Sequence, residues 1–187
     1  MIKAHILPSM VLTSQIETPL GILLAGAVSE GICLLEFTEK ERIEMQLARL
    51  EKAFDCKIIP GESPFFSVLE LQLKEYFEGK RKEFTLPLVI QGSEFQEKVW
   101  NALLTVPYGK INSYESQAIF VGDIKSIRAV AKANGENRIA ILVPCHRIIG
   151  KNGSLTGYGG GLWRKQFLLD LERRNSDAPT LPFFQDE

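Results

Sequence analysis

Cysteine is scarce in this chain, with only Cys33, Cys56 and Cys145 among 187 residues. Three is an odd number and too few for a disulfide framework, and no CxxC pair is present to hold a structural zinc. Histidine is scarcer still: His5 and His146 are the only two. No metal site and no cofactor are expected from such a set. No apolar run approaches the roughly 18–20 residues of a membrane span. The opening MIKAHILPSM has a single early Lys3, a stretch broken by Pro8 and no small-residue cleavage site, so it does not read as a secretory signal. A reducing, cytoplasmic setting away from membranes is the expectation. What is present is ordinary: 45% hydrophobic and 24% charged residues exclude disorder, collagen-like repeats and a pure coiled coil.

Net charge is informative only by region. Residues 1–90 carry a net −3 and residues 91–187 a net +2, while residues 98–174 hold 12 basic against 5 acidic side chains, a net +7. A half that faces a polyanion is one reading, and a charged solvated face is the other.

The first part reads as sheet, then helix. Val11–Glu17, Ile22–Val28 and Ile32–Phe37 are short apolar or alternating runs separated by Thr18-Pro19-Leu20-Gly21 and Ser29-Glu30-Gly31, which is the chemistry of turns. An antiparallel meander is expected. Thr38 is placed to cap a helix over Glu39–Phe54, with Ile43, Leu47, Leu50 and Phe54 at helical spacing. A second helix is expected over Pro64–Phe77, with Phe66, Leu69, Leu73, Tyr76 and Phe77 on one side. The charged linker 78–83 and the composition shift near residue 90 put a domain boundary there. The chain is read as a 1–90 α/β scaffold, a 91–175 functional domain and a flexible 176–187 tail.

The second part reads as helix and loop. Ser93 and Gln96 form a capping box opening a helix with Phe95, Val99, Trp100, Leu103 and Leu104 on its apolar side. A short helix over Tyr114–Phe120, a turn at Gly122-Asp123 and a helix from Ser126 to Asn134 make a helix-turn-helix pattern, with Asn134-Gly135 as the stop. The last of these helices is rich in alanine and carries Arg128 and Lys132. Its small-residue face suits a narrow groove or close helix packing.

The apolar run Ile139–Val143 should be buried, and it delivers Cys145, His146 and Arg147 to the edge of the core. A thiol reacts as thiolate, and a neighbouring His or Arg is expected to lower its pKa from about 8.5. Cys33 and Cys56 are read as small hydrophobes, and His5 as incidental. Residues 150–161 hold six glycines, a loop whose amides approach a ligand closely, but without P-loop spacing. In the last helix, 162–174, Glu172 is placed to orient His146 in a Cys-His-acid relay.

FQxxVWxAL (95–103), VPYG (106–109), Ser113-Tyr114, RAV (128–130), Asn137, PCHR (144–147), GYGGG (157–161) and KxxLLxxE (165–172) follow one another in a particular order and spacing. On these motifs the chain resembles the O6-alkylguanine-DNA alkyltransferases, or methylated-DNA–protein-cysteine methyltransferases. The resemblance implies an α+β chain with a small ribonuclease-H-like sheet and helix domain, followed by a helical, winged-helix-like domain bearing the helix-turn-helix. It also implies minor-groove binding to alkylated double-stranded DNA by a monomer. In that scheme Arg128 fills the gap left by a flipped base, with Ser113, Lys125, Ala129 and Lys132 completing the DNA contact. Cys145 accepts the alkyl group irreversibly, His146 and Glu172 take the thiol proton, and Tyr114 protonates the departing guanine. Asn137 is the hinge, Tyr158, Gly159 and Gly160 wall the base pocket, and Lys165 supports the loop or the lesion's polar edge.

Two positions depart from the family pattern: Arg138 where proline is frequent, read as a positive charge compatible with nearby DNA, and Ala131 where glycine is common. Three rivals are a lesion-marking protein, which would lack the acceptor cysteine; a thiol hydrolase, which would leave the helix-turn-helix without a purpose; and a DNA-binding regulator, which would leave PCHR and Glu172 unexplained.

Overall fold

The computed structural model describes residues 10–176; His5 and residues 177–187 of the tail expected over 176–187 lie outside them. Strands β1 (Met10–Thr18), β2 (Gly21–Val28) and β3 (Gly31–Phe37) form the expected meander. A fourth strand, β4 (Lys57–Pro60), lies parallel to β1 at the other edge, giving the order β3-β2-β1-β4. Four residues ending in a proline gave no sequence signal for it, and at a sheet edge proline is tolerated.

Strand β3 is buried along its whole length, Glu36 included. Its outer edge is closed by two chain segments. Ile32 donates its amide to Pro87 O and accepts from Val89, while Leu35 donates to Arg138 O and accepts from Ala140. Gly31 is required at the first contact, because a Cβ there would stand 2.3 Å from Pro87 O. The second contact stitches the sheet to the segment that leads into Cys145.

Helix α1 (Lys40–Phe54) packs Gln46, Leu50 and Phe54 inward. The expected cap is not used: Glu39 occupies the cap position without a side-chain bond, and Thr38 Oγ1 donates instead to Ile22 O. Helix α2 (Pro64–Phe77) starts on Ser63 as its cap and buries Phe66, Leu69, Gln72, Leu73 and Tyr76. Together the sheet and these helices hold an apolar core continuous with that of the helical half.

Helix α3 (Glu94–Leu104) has the capping box intact. Val99, Trp100 and Leu103 are buried as expected, but Phe95 and Leu104 at the ends are exposed, and Ala102 takes a core position instead. A two-residue strand β5 (Asn112–Ser113) leads into α4 (Tyr114–Val121). Gly122 ends α4 in the left-handed region at φ 110°, and a 3-10 turn over Ile124–Ser126, capped by Asp123, opens α5 (Ile127–Gly135). A buried reciprocal amide pair, Gln117 with Asn134, locks α4 to α5, and Trp100 Nε1 donates to Ala133 O from α3. Asn134-Gly135 therefore does not stop the helix as expected: Asn134 is a clasp, Gly135 stays helical, and Glu136 closes the end in the right-handed region. Strand β6 (Ile148–Ile149) pairs with β5, and α6 (Leu162–Arg174) is the last element among the described residues.

Candidate active site

Residues 137–147 are folded by their own polar groups. Asn137 Oδ1 accepts from Ile139 N at 3.0 Å, and its Nδ2 donates to Val143 O at 2.8 Å and to Cys145 Sγ at 3.2 Å. Ile141, at φ 70°, sits in the left-handed region that a β-branched residue rarely adopts, at a cost of roughly 1–3 kcal/mol. The reversal it makes lets one asparagine hold both ends of the segment, with the thiol at its far end.

Cys145 opens a 3-10 turn, Cys145–Arg147, and is partly accessible. Burial pushes its pKa up, and the Asn137 bond and the positive fields of Lys165 and Arg42 offset this only in part. The expected lowering by Arg147 is not found. The Arg147 guanidinium is turned away, giving Nε and Nη2 to Glu172 at 2.9 Å each and Nη1 to Val106 O. A thiol raised in this way rests in its neutral form, and a base would be needed to make it a nucleophile.

The next residue in the chain is the candidate. His146 is fully buried, with Nε2 2.8 Å from Glu172 Oε1, while its Nδ1 is buried without a protein partner. Glu172 also accepts from Tyr76 OH at 2.8 Å and Gly109 N at 3.0 Å. Burial alone would raise the Glu172 carboxyl, but His146 and Arg147 hold it well below the usual carboxylate range. Burial holds His146 below its ordinary value against the pull of Glu172. The ion pair is thus Glu172 with Arg147, and the imidazole beside them is neutral. With Nε2–H donating to the carboxylate, the lone pair lies on Nδ1.

The glycine-rich loop covers this group. Lys165, fully buried, donates from Nζ to Ile148 O at 2.6 Å and Thr156 O at 2.7 Å, so it supports the loop; burial brings its pKa down to about 8. Tyr114 OH donates to Thr156 O and Gly157 O at 3.0 and 3.1 Å. Tyr158 is half-buried, with its hydroxyl unpartnered and its pKa pushed up by burial and by Cys145. A Cβ on Gly159 would strike the Arg42 guanidinium at 1.9 Å, and one on Gly160 would strike the Phe37 ring at 2.6 Å. The loop rests directly on the sheet half.

Arg128, Ala129, Ala131, Lys132 and Lys125 are all exposed on the helix-turn-helix. Ser113 spends its hydroxyl as the cap of α4, accepting from Ser116 N. Arg138 differs from expectation: it is 8% exposed, its guanidinium donating to Arg49 O and Gln91 O and lying 5.6 Å from the Trp100 ring centroid. It fills the junction between the halves and offers no charge to a polyanion.

Sequence reasoning missed what the first half contributes. Gln46 and Arg42 donate to Asn137 O, Arg42 pairs with buried Glu36, and Tyr76 reaches Glu172. Only Tyr76 left a trace: a phenol in an apolar stripe must find a hydrogen-bond partner once buried. Among the described residues there is no group of three or more His, Cys, Asp or Glu side chains that could hold a metal, and no helix is long and apolar enough to cross a membrane.

A partly accessible thiol followed in sequence by a buried histidine, in a chain whose helix pair exposes cations and small residues, fits the cysteine-dependent transferases carried on a helix-turn-helix fold. Residues 94–174 match the model of the 6-O-methylguanine DNA methyltransferase DNA-binding domain, and residues 11–90 match that of the ribonuclease-like domain of the same enzymes. The methylated-DNA–protein-cysteine methyltransferase of Methanosarcina barkeri is 41% identical over 161 residues, covering 86% of this chain and 96% of its own. The constitutive one of Bacillus subtilis is 42% identical over 158 residues, covering 84% and 92%. The crystal structure of the Mycobacterium tuberculosis O6-methylguanine methyltransferase superposes with a TM-score of 0.75 at 40% identity, covering 91% of this chain and 97% of that one. The Mycobacterium tuberculosis OGT protein in complex with DNA gives 0.73 at 40% identity, covering 90% and 96%. The chain belongs to the methylated-DNA–protein-cysteine methyltransferase family.

Proposed function

We propose that this protein repairs DNA by direct reversal, moving the alkyl group of an O6-alkylguanine onto Cys145 in a single, irreversible turnover. The observation that carries the reading is the unpartnered, buried Nδ1 of His146, the residue that follows in sequence a thiol whose pKa burial raises. A water between them passes the thiol proton to Nδ1, with Glu172 fixing the tautomer. The sulfur attacks the alkyl carbon, the new S–C bond forms as the C–O6 bond breaks, and that electron pair leaves with the guanine. Tyr114, freed from the loop carbonyls it now serves, protonates the leaving base. Neither water nor thiol exchange reverses a thioether, so each chain acts once.

Delivery of the base follows from the exposed side of the helix-turn-helix. Arg128 enters the stack in place of the flipped nucleotide, Ala129 and Ala131 let α5 sit close to the groove, and Ser113, Lys125 and Lys132 lie along the backbone path. Asn137 joins α5 to the thiol, Tyr158, Gly159 and Gly160 wall the pocket, and Lys165 holds the loop over it. The protein works as a monomer in the reducing, cytoplasmic compartment, with residues 1–90 as scaffold and 91–175 as the DNA-binding and acceptor domain.

Intact-protein mass after incubation with a duplex carrying one O6-methylguanine tests this. One added methyl per chain, confined to the Cys145 peptide and saturating, is expected. An unchanged mass with retained, salt-sensitive DNA binding overturns it in favour of lesion marking or regulation.

A further inference from the structure

Tyr76 belongs to α2, in the half of the molecule that carries neither the thiol nor the helix-turn-helix, yet its hydroxyl ends in the relay. It is fully buried and donates at 2.8 Å to Glu172 Oε1, the same oxygen that receives His146 Nε2 at 2.8 Å and Arg147 Nη2 at 2.9 Å. The ring is fixed by edge contacts with Phe77 and Tyr108 and a tilted contact with Phe84, at centroid distances of 5.4–5.9 Å. The second oxygen of Glu172 is filled by Arg147 Nε and Gly109 N. Five donors thus converge on one carboxylate, and the single one from the sheet half competes with His146 for a shared atom.

We infer that Tyr76 is a positioning residue for alkyl transfer: its phenol sets how strongly Glu172 Oε1 pulls on His146, and so how readily the imidazole takes the Cys145 proton. The inference rests on the proposed transfer reaction. A hydrogen bond from the phenol withdraws negative charge from Oε1. Without it the carboxylate faces His146 with more charge, the imidazolium is favoured, and the pH at which His146 becomes a free base rises. The charged groups acting on the imidazole are Glu172, Arg147 and Lys165, and removing one oxygen from Tyr76 takes a hydrogen bond from Glu172 while leaving the Arg147 and Lys165 charges in place. The sheet half then does more than carry the site. It holds Glu172 in a weakly basic state, so that the carboxylate orients the histidine without trapping a proton on it.

The test is Tyr76→Phe, which keeps the ring and its packing, beside Tyr108→Phe, whose hydroxyl is also buried but has no protein partner. Single-turnover transfer from O6-methylguanine duplex is followed from pH 5.5 to 9, and the His146 ring nitrogens are titrated by NMR without DNA. Y76F is expected to bind DNA and unfold cooperatively as the parent does, to lose about tenfold in rate near pH 6 and far less near pH 8.5, and to titrate His146 at higher pH. Y108F should follow the parent in both. A parental rate profile and parental His146 titration in Y76F overturn the inference, as does an equal loss at every pH. If the parent itself transfers no alkyl group, the proposed function fails, while the His146 titration still decides the role of Tyr76.

Discussion

Cys33 and Cys145 occupy two regions that burial treats alike and polar surroundings treat differently. Cys33 lies on β3 with no exposure, packed among Val11, Val28, Leu34, Leu50 and Phe54, and burial pushes its thiol up to about 12. Cys145 is raised by burial too, but it has the Asn137 amide at 3.2 Å, a neutral histidine next in sequence, and a partly open side. The difference teaches that this acceptor is not a pre-ionised thiolate. On the proposed mechanism its reactivity comes from a base that acts at the moment of transfer and from access, and Cys33 has neither a histidine beside it in sequence nor an open side.

The sharpest break of that comparison is removal of the acceptor. Cys145→Ser should yield no alkylated protein at any pH, since a serine hydroxyl holds its proton far more tightly than a thiol, while retaining lesion binding; labelled-methyl transfer measures it. Any transfer by C145S would move the acceptor elsewhere. Next in size is Glu172→Gln. It leaves Arg147 buried without a counter-charge, a loss of about 3–5 kcal/mol measured by urea denaturation, and it should slow transfer about 10²-fold by loosening the base. The pH signs follow from the same group. With its pKa depressed, Glu172 gives stability that is fully present above the ordinary carboxylate range near 4.3 and is lost as pH falls toward the folded value. His146, held down by burial, is neutral through pH 7–8, so the acid limb of the rate profile should lie below 6.5.

The DNA-facing region sharpens the comparison from outside. Arg128→Ala should cost about 10–100-fold in transfer on duplex substrate, the scale of a few kcal/mol of unstacking left without a filler, with single-stranded substrate little affected. Lys132→Ala should weaken binding alike on damaged and intact duplexes and reduce the slope of log K against log salt by about 1; fluorescence anisotropy over a salt series reads it.

How much of this was legible depended on how local the signal was. The capping box at Ser93 and Gln96, the strands of the meander and the α2 boundaries are written in neighbouring residues, and they appear where the spacing puts them. The contact between His146 and Glu172 was legible too, since one of only two histidines follows Cys145 and Glu172 lies on the last helix. Strand β4 was not, since four residues carry no periodicity and its partners on β1 lie 47 positions earlier. Arg138 misled for a related reason: a guanidinium reads as surface charge, and only the fold shows that Arg49, Gln91 and Trp100 enclose it. The contributions of Tyr76, Arg42 and Gln46 to the site come from contacts more than 90 positions apart, beyond the reach of any local pattern.

The smallest expected effect returns to Cys33. Cys33→Ala should leave transfer unchanged, because no polar group of the relay touches that sulfur, and should cost about 1 kcal/mol in stability for the apolar atom removed from the packed face of α1. Native-state labelling makes the sharper reading. In the C145A protein a thiol reagent should modify half-exposed Cys56 directly, whereas Cys33 should react only through opening of the sheet, at a rate that follows denaturant stability. Labelling of Cys33 in the folded chain as fast as Cys145 in the parent would mean that access does not separate the two thiols, leaving the polar groups around Cys145 as the difference. Labelling limited by unfolding makes access one part of the difference, and the Glu172→Gln rate, measured with Cys145 still accessible, then reads the part that the histidine–carboxylate pair adds.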